Sequence, residues 1–349
     1  MRGPRTATIA AIALFAVTGC RDPDGGTVFD TSDDLVREVF PQAEPATADI
    51  LWVVDSSCSM EDEQNALSAN FPSFIEVFLE RGLEFQIAVT STNIDEDGTD
   101  GLDGRMVGDP PIITSEDDDP EAMFIERSLV GIDPGHQDEK GLEAAWQAIE
   151  VLGDGPNAGF LRDEAHLAVI IVSDEPDYSE REQSDGEDLM HWQEFADWMN
   201  ALKGPAGQRY SDLSAIVGVS DDGFDAPGWC GLEEGQDPGQ GEGAQRGDGY
   251  LEAAVATGGL WASICEEDWG ELLGRVGLRA AGLMDSWQLE WEPAPGTLEV
   301  RVNGNTPPPD SWEYFALDNS IRFLTVASIP RPGSVVEVQY EKLEAPEGE

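Results

Sequence analysis

The chain reads ILWVVDSSCS over residues 50–59, and this stretch decides the fold. Residues 50–54 are apolar at every position and too few for a helix, which is typical of a parallel strand buried on both faces. One carboxylate and two hydroxyls, those of Asp55, Ser57 and Ser59, follow the strand at once. The stretch therefore predicts a buried strand that ends in oxygen ligands.

Similar apolar runs recur along the chain, with helical patterns between them. The runs cover residues 85–89, 168–172, 215–219 and 260–264. Apolar residues spaced by three or four predict helices within residues 67–78, 142–149, 189–202, 248–256 and 267–282. This alternation indicates an α/β domain with a doubly wound, mostly parallel sheet, which we place at residues 48–285. Pro72 is expected to kink or restart the first helix.

Beyond residue 285 the apolar period changes to two. Trp287, Leu289 and Trp291 alternate with polar residues, as do later runs up to Tyr340. Alternation of this kind, interrupted by turn residues, is typical of half-buried strands. It predicts a small antiparallel β module at residues 286–343, followed by a tail at residues 344–349.

The N-terminus has the pattern of an exported protein. Residues 1–19 contain two arginines and an apolar stretch shorter than the roughly 20 residues that span a bilayer, which predicts a signal peptide. Residues 17–20 (VTGC) resemble the lipobox of bacterial lipoproteins, which implies cleavage before Cys20 and acylation of that cysteine. Residues 20–47 would then be a tether. An ordinary signal peptide with a chance cysteine is the alternative.

Lipidation would place the protein in the cell envelope. Arg21 is not the Asp that commonly retains lipoproteins at the inner membrane, so we expect a lipid-anchored protein of the outer membrane.

The composition of the chain indicates which classes of partner it does not suit. The chain has 71 acidic and 19 basic residues, a formal charge of −52, which disfavours nucleic acid and anionic lipid surfaces.

Three cysteines remain if Cys20 is acylated. We expect Cys230 and Cys265 to form a disulfide that closes a Gly-rich loop, and Cys58 to be a free, buried thiol. A bond between Cys58 and either of the others is the alternative.

Two carboxylates are predicted to meet at one edge of the sheet. Asp55 follows the strand at residues 50–54, and Asp174 follows the strand at residues 168–172. Ligands of open α/β sheets bind beyond the carboxyl ends of the strands. Asp55, Asp174 and the hydroxyls of Ser57 and Ser59 form an oxygen set that suits Mg²⁺, with Ca²⁺ or Mn²⁺ as alternatives. Capping of the next helix also explains Ser59, but not the other three residues.

The same residues resemble a known family. Residues 53–60 (VVDSSCSM) are similar to the first loop of von Willebrand factor type A (vWA) domains, whose metal-ion-dependent adhesion site begins Asp-x-Ser-x-Ser. Residues 170–174 (IIVSD) resemble the later strand of that family, which ends in a metal-site Asp. The resemblance covers about residues 48–285. It implies binding rather than catalysis, through a metal that keeps one position open for an acidic side chain of a protein or peptidic partner.

One loop departs from the family pattern. Residues 135–142 (GHQDEKGL) contain no Ser or Thr where the family usually supplies a Thr ligand. His136, Gln137, Asp138 or a water would take its place. A third carboxylate from Asp138 would leave a divalent site with a charge of −1, which attracts an acidic ligand poorly, whereas Gln137 or a water would keep the metal electrophilic.

Two other functions compete with metal-dependent adhesion. One is an envelope scaffold whose metal is purely structural. The other is a metal-assisted hydrolase, since a bound ion can activate water. None of the three histidines, however, pairs with a nucleophile at a recognisable spacing. We therefore expect a non-enzymatic protein.

Overall fold

A computed structural model describes residues 27–30, 35–42, 47–94, 101–132, 139–179, 191–203, 211–220, 226, 228–232, 243–316 and 319–343. The predicted signal peptide, the predicted lipidation site Cys20 and the loop residues His136, Gln137 and Asp138 lie outside these ranges. Among the described residues, no helix has the length and apolar character needed to cross a bilayer.

The described elements follow one another as short strands and amphipathic helices. The strands are β1 (Thr27–Asp30), β2 (Leu35–Pro41), β3 (Thr47–Val54), β4 (Glu84–Ser91), β5 (Ile113–Thr114), β6 (His166–Ser173), β7 (Ser211–Val217), β8 (Trp229–Cys230), β9 (Ala244–Gln245), β10 (Trp261–Ser263), β11 (Ser286–Gln288), β12 (Glu299–Val302), β13 (Trp312–Phe315), β14 (Ser320–Phe323) and β15 (Val335–Glu341). The helices are α1 (Glu61–Arg81), α2 (Pro120–Ser128), α3 (Gly141–Trp146), α4 (Trp192–Leu202), α5 (Tyr250–Thr257) and α6 (Trp269–Ala280).

The central sheet has six strands in the order β10-β7-β6-β3-β4-β5. All neighbours are parallel except β5, which pairs antiparallel to β4. The all-apolar strand β3 lies between β4 and β6, and Val54 stands opposite Val172 of β6. The chain runs outward from β3 in both directions, so the expected doubly wound α/β fold is confirmed.

Successive residues of β3 point to opposite sides of the sheet. Because the residues on both sides are apolar, helices cover both faces. Trp52 packs against Phe74 of α1 and Phe124 of α2, with ring centroids 5.1 and 5.3 Å away. Leu51 and Val53 belong instead to a second buried cluster with α3, α4 and α5. The sheet core therefore needs apolar residues at every position of β3.

Helix α1 does not restart at Pro72, which was one of the two outcomes expected from the sequence. It runs from Glu61 to Arg81 with Pro72 inside it. A proline within a helix costs about 3 kcal/mol because one hydrogen bond is lost. Phe71, Phe74 and Phe78 are completely buried on this helix, and burial of each contributes roughly 1.5–3 kcal/mol. Packing thus outweighs the local penalty.

The strands that follow the α/β domain belong to small antiparallel sheets, as expected. One has the order β1-β2-β15-β12 and another the order β11-β14-β13. The tether prediction for residues 20–47 is wrong for residues 35–41, because these form β2, an inner strand paired with β15. The alternation in β2 is hidden by Glu38, a fully buried residue whose carboxylate accepts a hydrogen bond from the Tyr340 hydroxyl.

Gln42 joins the two units. Its side-chain amide N–H groups donate to the carbonyls of Met284 and Pro330 at 2.8 and 3.1 Å, and its side-chain oxygen accepts from the Met284 N–H at 3.0 Å.

The structure joins Cys230 to Cys265 in a disulfide, with Cα atoms 6.2 Å apart. Cys58 has a free thiol, but it is exposed and not buried as expected, because it lies on the outer side of the turn that precedes α1.

Candidate metal centre

The candidate site lies where the chain leaves β3 and β6 side by side. The Asp55 N–H donates to the Val172 carbonyl at 2.9 Å, so the hydrogen-bonded ladder continues one residue beyond β3. Asp174 follows directly after β6. Adjacent strands that lead in opposite directions leave a crevice between their carboxyl ends, which is where α/β proteins bind ligands.

Asp55 is fixed by its own loop and by the neighbouring strand. It has no solvent exposure, and its Oδ1 accepts from the Ser57 N–H at 2.7 Å, which forms an Asx turn. Its Oδ2 accepts from the Ser173 hydroxyl at 2.6 Å. Burial raises the pKa of Asp55, and hydrogen bonds from Ser173 and Ser57 oppose this shift.

Ser57 and Ser59 lie next to Asp55, with their hydroxyl oxygens 3.0 Å apart. The capping alternative for Ser59 is wrong, because α1 begins after Met60 and has no side-chain cap. Both hydroxyls lower the pKa of Asp174 instead, so they lie close to its carboxylate. The four residues predicted from the sequence are thus brought together.

Asp174 carries the clearest sign of an absent partner. Only 6% of the residue is exposed, and within the described residues its Oδ1 has no hydrogen-bond donor. Burial, together with the negative charge of Asp55, raises the pKa of Asp174 to about 6. A buried oxygen without a donor is costly and calls for an ion or a water.

Glu139 is a third carboxylate that the sequence reasoning missed. It has no solvent exposure, and its Oε2 accepts a hydrogen bond from the Thr92 hydroxyl. Its Oε1 is buried without a donor among the residues described. Burial and the charge of Asp55 raise the pKa of Glu139 to about 9, with smaller contributions from Glu175 and Asp174.

The signal for Thr92, though not for Glu139, was available in the order of strands. Thr92 follows β4, whose carboxyl end reaches the same edge as those of β3 and β6. The rule that identified Asp55 and Asp174 applies equally to Thr92. The Thr92 carbonyl accepts from the Lys140 N–H at 3.1 Å, which places Glu139 beside β4.

The loop that carries Glu139 is held from the other side by buried groups. The Tyr250 hydroxyl accepts from the Gly141 N–H at 3.0 Å, and the Asp177 carboxylate accepts from the Leu142 N–H at 3.3 Å. The Glu139 carbonyl accepts from the Tyr178 N–H at 2.7 Å. Elements far apart in sequence therefore fix the first residues of α3 and the position of Glu139.

The donor set suits a hard divalent cation. It consists of carboxylates and hydroxyls, the oxygen ligands that Mg²⁺ and Ca²⁺ prefer. Among the described residues, no group of three or more His, Cys, Asp or Glu side chains is arranged to hold a metal ion. A cation here would thus rely on Asp55 and Asp174 with the serine hydroxyls. The buried Oδ1 of Asp174, which has no hydrogen-bond donor among the described residues, would be one ligand of the cation.

No protein-family model matches the sequence, and no curated protein is similar to it. Solved structures do resemble the fold. A protein described as von Willebrand factor type A from Catenulispora acidiphila is 12% identical, with a TM-score of 0.37, over 90% of this chain and 62% of that one. The pilus adhesin SpaC from Lactobacillus rhamnosus GG, in its open conformation, is 10% identical, with a TM-score of 0.38, over 93% of this chain and 43% of the adhesin.

A third similar structure is the conserved hypothetical protein BatB from Bacteroides thetaiotaomicron. It is 13% identical, with a TM-score of 0.36, over 67% of this chain and 97% of that one. This chain thus spans less than two thirds of the first two proteins and almost all of BatB. Identities and TM-scores this low describe a distant likeness of fold, and the fold assignment rests on the strand order itself.

Proposed function

We propose that this protein binds a protein or peptidic partner through a divalent metal ion, Mg²⁺ in the first instance, held by Asp55, Ser57, Ser59 and Asp174. The buried Oδ1 of Asp174, which lacks a donor among the described residues, is the observation that carries the proposal. When bound, the ion would supply an electrophilic position for an acidic side chain of the partner.

The local charges support a cation. Burial raises the pKa values of Asp55, Asp174 and Glu139, and repulsion by Asp55 adds to the shift of Asp174 and Glu139, as expected for clustered carboxylates. The formal charge of −52 also attracts divalent cations to the protein from a distance.

A groove beside the centre offers room for the partner. It has a volume of about 340 Å³, with Ser56, Ser91 and Asn93 among its polar lining residues. Leu102 and Ile132 contribute an apolar side. A partner that places a carboxylate on the metal could therefore seat a neighbouring apolar side chain in this groove.

Two other functions have less support. A purely structural metal would not need a groove at its side. A hydrolase would need a general base, and of the two histidines among the described residues His166 lies at the start of β6, the opposite edge of the sheet, and His191 precedes α4. Lipidation at Cys20 and an outer-membrane location stay part of the proposal and rest on residues 1–21. Palmitate labelling lost in a Cys20→Ala variant tests them.

Calorimetric titration with Mg²⁺ and Mn²⁺ tests the centre. We expect saturable binding by the native protein and a loss of at least about tenfold in Asp174→Asn, which is about 1.4 kcal/mol. Asp154→Asn, a change at an exposed carboxylate, is the matched control and should leave binding unchanged. Equal binding by all three proteins would refute the metal centre.

The open position needs a separate measurement. With Mn²⁺ bound, a short peptide containing one Asp should displace a metal-bound water and lower the water-proton relaxation enhancement. The corresponding Asn peptide is the control. Binding of Mn²⁺ with no response to the Asp peptide would favour the scaffold with a structural metal.

A further inference from the structure

A separate cavity of about 610 Å³ lies at the edge of the central sheet formed by β10. Strand β10, helix α6 and the β11–β14 pair line it, so it lies between the α/β domain and the antiparallel module. We name it the α6 cavity. Its lining includes none of the residues of the metal centre. Its size and its position between two units are typical of small-molecule sites.

The lining of the α6 cavity is much richer in cationic side chains than the protein as a whole. Arg275, Arg279 and Arg322 line it, against the acids Glu266 and Asp285, which gives three positive and two negative side chains. The whole chain has 71 acids and 19 bases. Cationic residues are thus concentrated at this cavity in a protein that otherwise has few.

Two of the arginines are held in place by neighbouring groups. The Arg279 Nε lies 3.2 Å from Asp212 Oδ2, and its guanidinium also donates to the Gly258 carbonyl. The Arg322 guanidinium lies 4.5 Å from the centroid of the Phe315 ring. Both therefore present their charge from fixed positions at little further entropic cost.

Arg275 differs from the other two. It is exposed on α6, and within the described part of the chain its side chain has no ion pair or hydrogen bond. Neither Glu266 nor Asp285 forms an ion pair with it in that part. Ion pairing between the two units therefore does not account for this arginine. Trp261, which also lines the cavity, has 41% of its surface exposed.

We infer that the α6 cavity binds a small organic anion, a carboxylate or a phosphate ester, whose charged group is met by Arg275 and whose apolar part lies against Trp261. Arginine suits both anions because its planar donors form paired hydrogen bonds with two oxygens. Arg322 adds positive charge around the anion, whereas Asp212 offsets the charge of Arg279.

Citrate and inorganic phosphate are the probes, added in calorimetry to the full chain in the presence of EDTA. We expect saturable binding of at least one probe, which also tells carboxylate from phosphate. In Arg275→Gln the affinity should fall about tenfold, which is about 1.4 kcal/mol. Arg301→Gln is the matched control, because it removes a positive charge from an exposed residue of β12 that is paired only loosely, at 3.6 Å, with Glu299.

The controls separate specific binding from screening. Asp55→Ala should leave probe binding unchanged, so a failure here is distinguishable from a failure of the metal centre. Thermal melts identify any variant that does not fold, and Arg275→Lys provides a second variant, which should retain weaker binding. Absence of saturable binding by both probes would overturn the inference, as would equal weakening by Arg275→Gln and Arg301→Gln.

Discussion

Replacing Glu139 with Gln should make the metal-free protein more stable at neutral pH. Burial and the charge of Asp55 raise the pKa of Glu139 from 4.5 to about 9. Between these values the unfolded chain has released a proton that the folded protein keeps. Stability is therefore complete at acidic pH and falls as the pH rises through this window, by up to about 1.4 kcal/mol per pH unit.

The magnitude follows from this slope. The amide introduced by Glu139→Gln cannot ionise, and its carbonyl oxygen can still accept from the Thr92 hydroxyl that Glu139 uses. The advantage of the variant should be small near about pH 4.5 and reach about 3 kcal/mol near pH 7, since about 2.5 pH units lie between these values. Glu143→Gln is the control, because its buried carboxylate bonds Gln147 and not the site.

Urea unfolding in EDTA, followed by tryptophan fluorescence at several pH values, measures the difference. Saturating Mg²⁺ should remove the advantage of the variant, because a cation stabilises the ionised carboxylates. Parallel stability curves for the native protein and Glu139→Gln would show that Glu139 does not carry this pH dependence, and the electrostatic account of the site would be refuted.

Other predictions concern the fold, each read from denaturant unfolding. Phe40→Ala should lower the free energy of unfolding by about 3–5 kcal/mol if β2 belongs to the folded module, whereas Arg37→Ala, on the exposed side of β2, should lower it by less than about 1 kcal/mol. Equal small losses for both variants would support the interpretation of residues 20–47 as a tether. Cys230→Ser should remove about 4 kcal/mol, since the disulfide to Cys265 closes a separation of 35 residues, and reduction should abolish the difference from the native protein. Gly277→Ala should cost about 1–3 kcal/mol, because the added Cβ would lie 2.7 Å from a backbone oxygen of α1, and an unchanged stability would contradict the tight packing of α1 on α6.

Much of the α/β domain follows from local pattern. The short runs that became β3, β4, β6 and β7 are apolar at nearly every position, which predicts buried strands, and a strand buried on both faces implies helices on each side. The short strand β5 and the helix α2 were not predicted, since neither has a long periodic pattern. Strand β2 was missed because buried Glu38 breaks its alternation, and the groups that satisfy its carboxylate, the Tyr340 hydroxyl and the Glu290 N–H, are distant in sequence.

Some residues of the candidate site were identified from the sequence, and one was identified only from the structure. Asp55, Ser57, Ser59 and Asp174 were identified from the sequence because each follows directly after a strand or in the turn beyond it. Glu139 could not be identified in this way, since its burial depends on groups distant in the chain. Thr92 lies 47 residues before it.

The sequence by itself determined the layered fold and two carboxylates at the switch point, because strand periodicity and strand ends are local properties. Only the tertiary structure decided that Glu139 joins them, that residues 35–41 complete the antiparallel module, and that three arginines line one cavity. The physical reason is common to all three. Burial and the electric field at a side chain depend on everything packed around it, and most of those neighbours are distant in sequence.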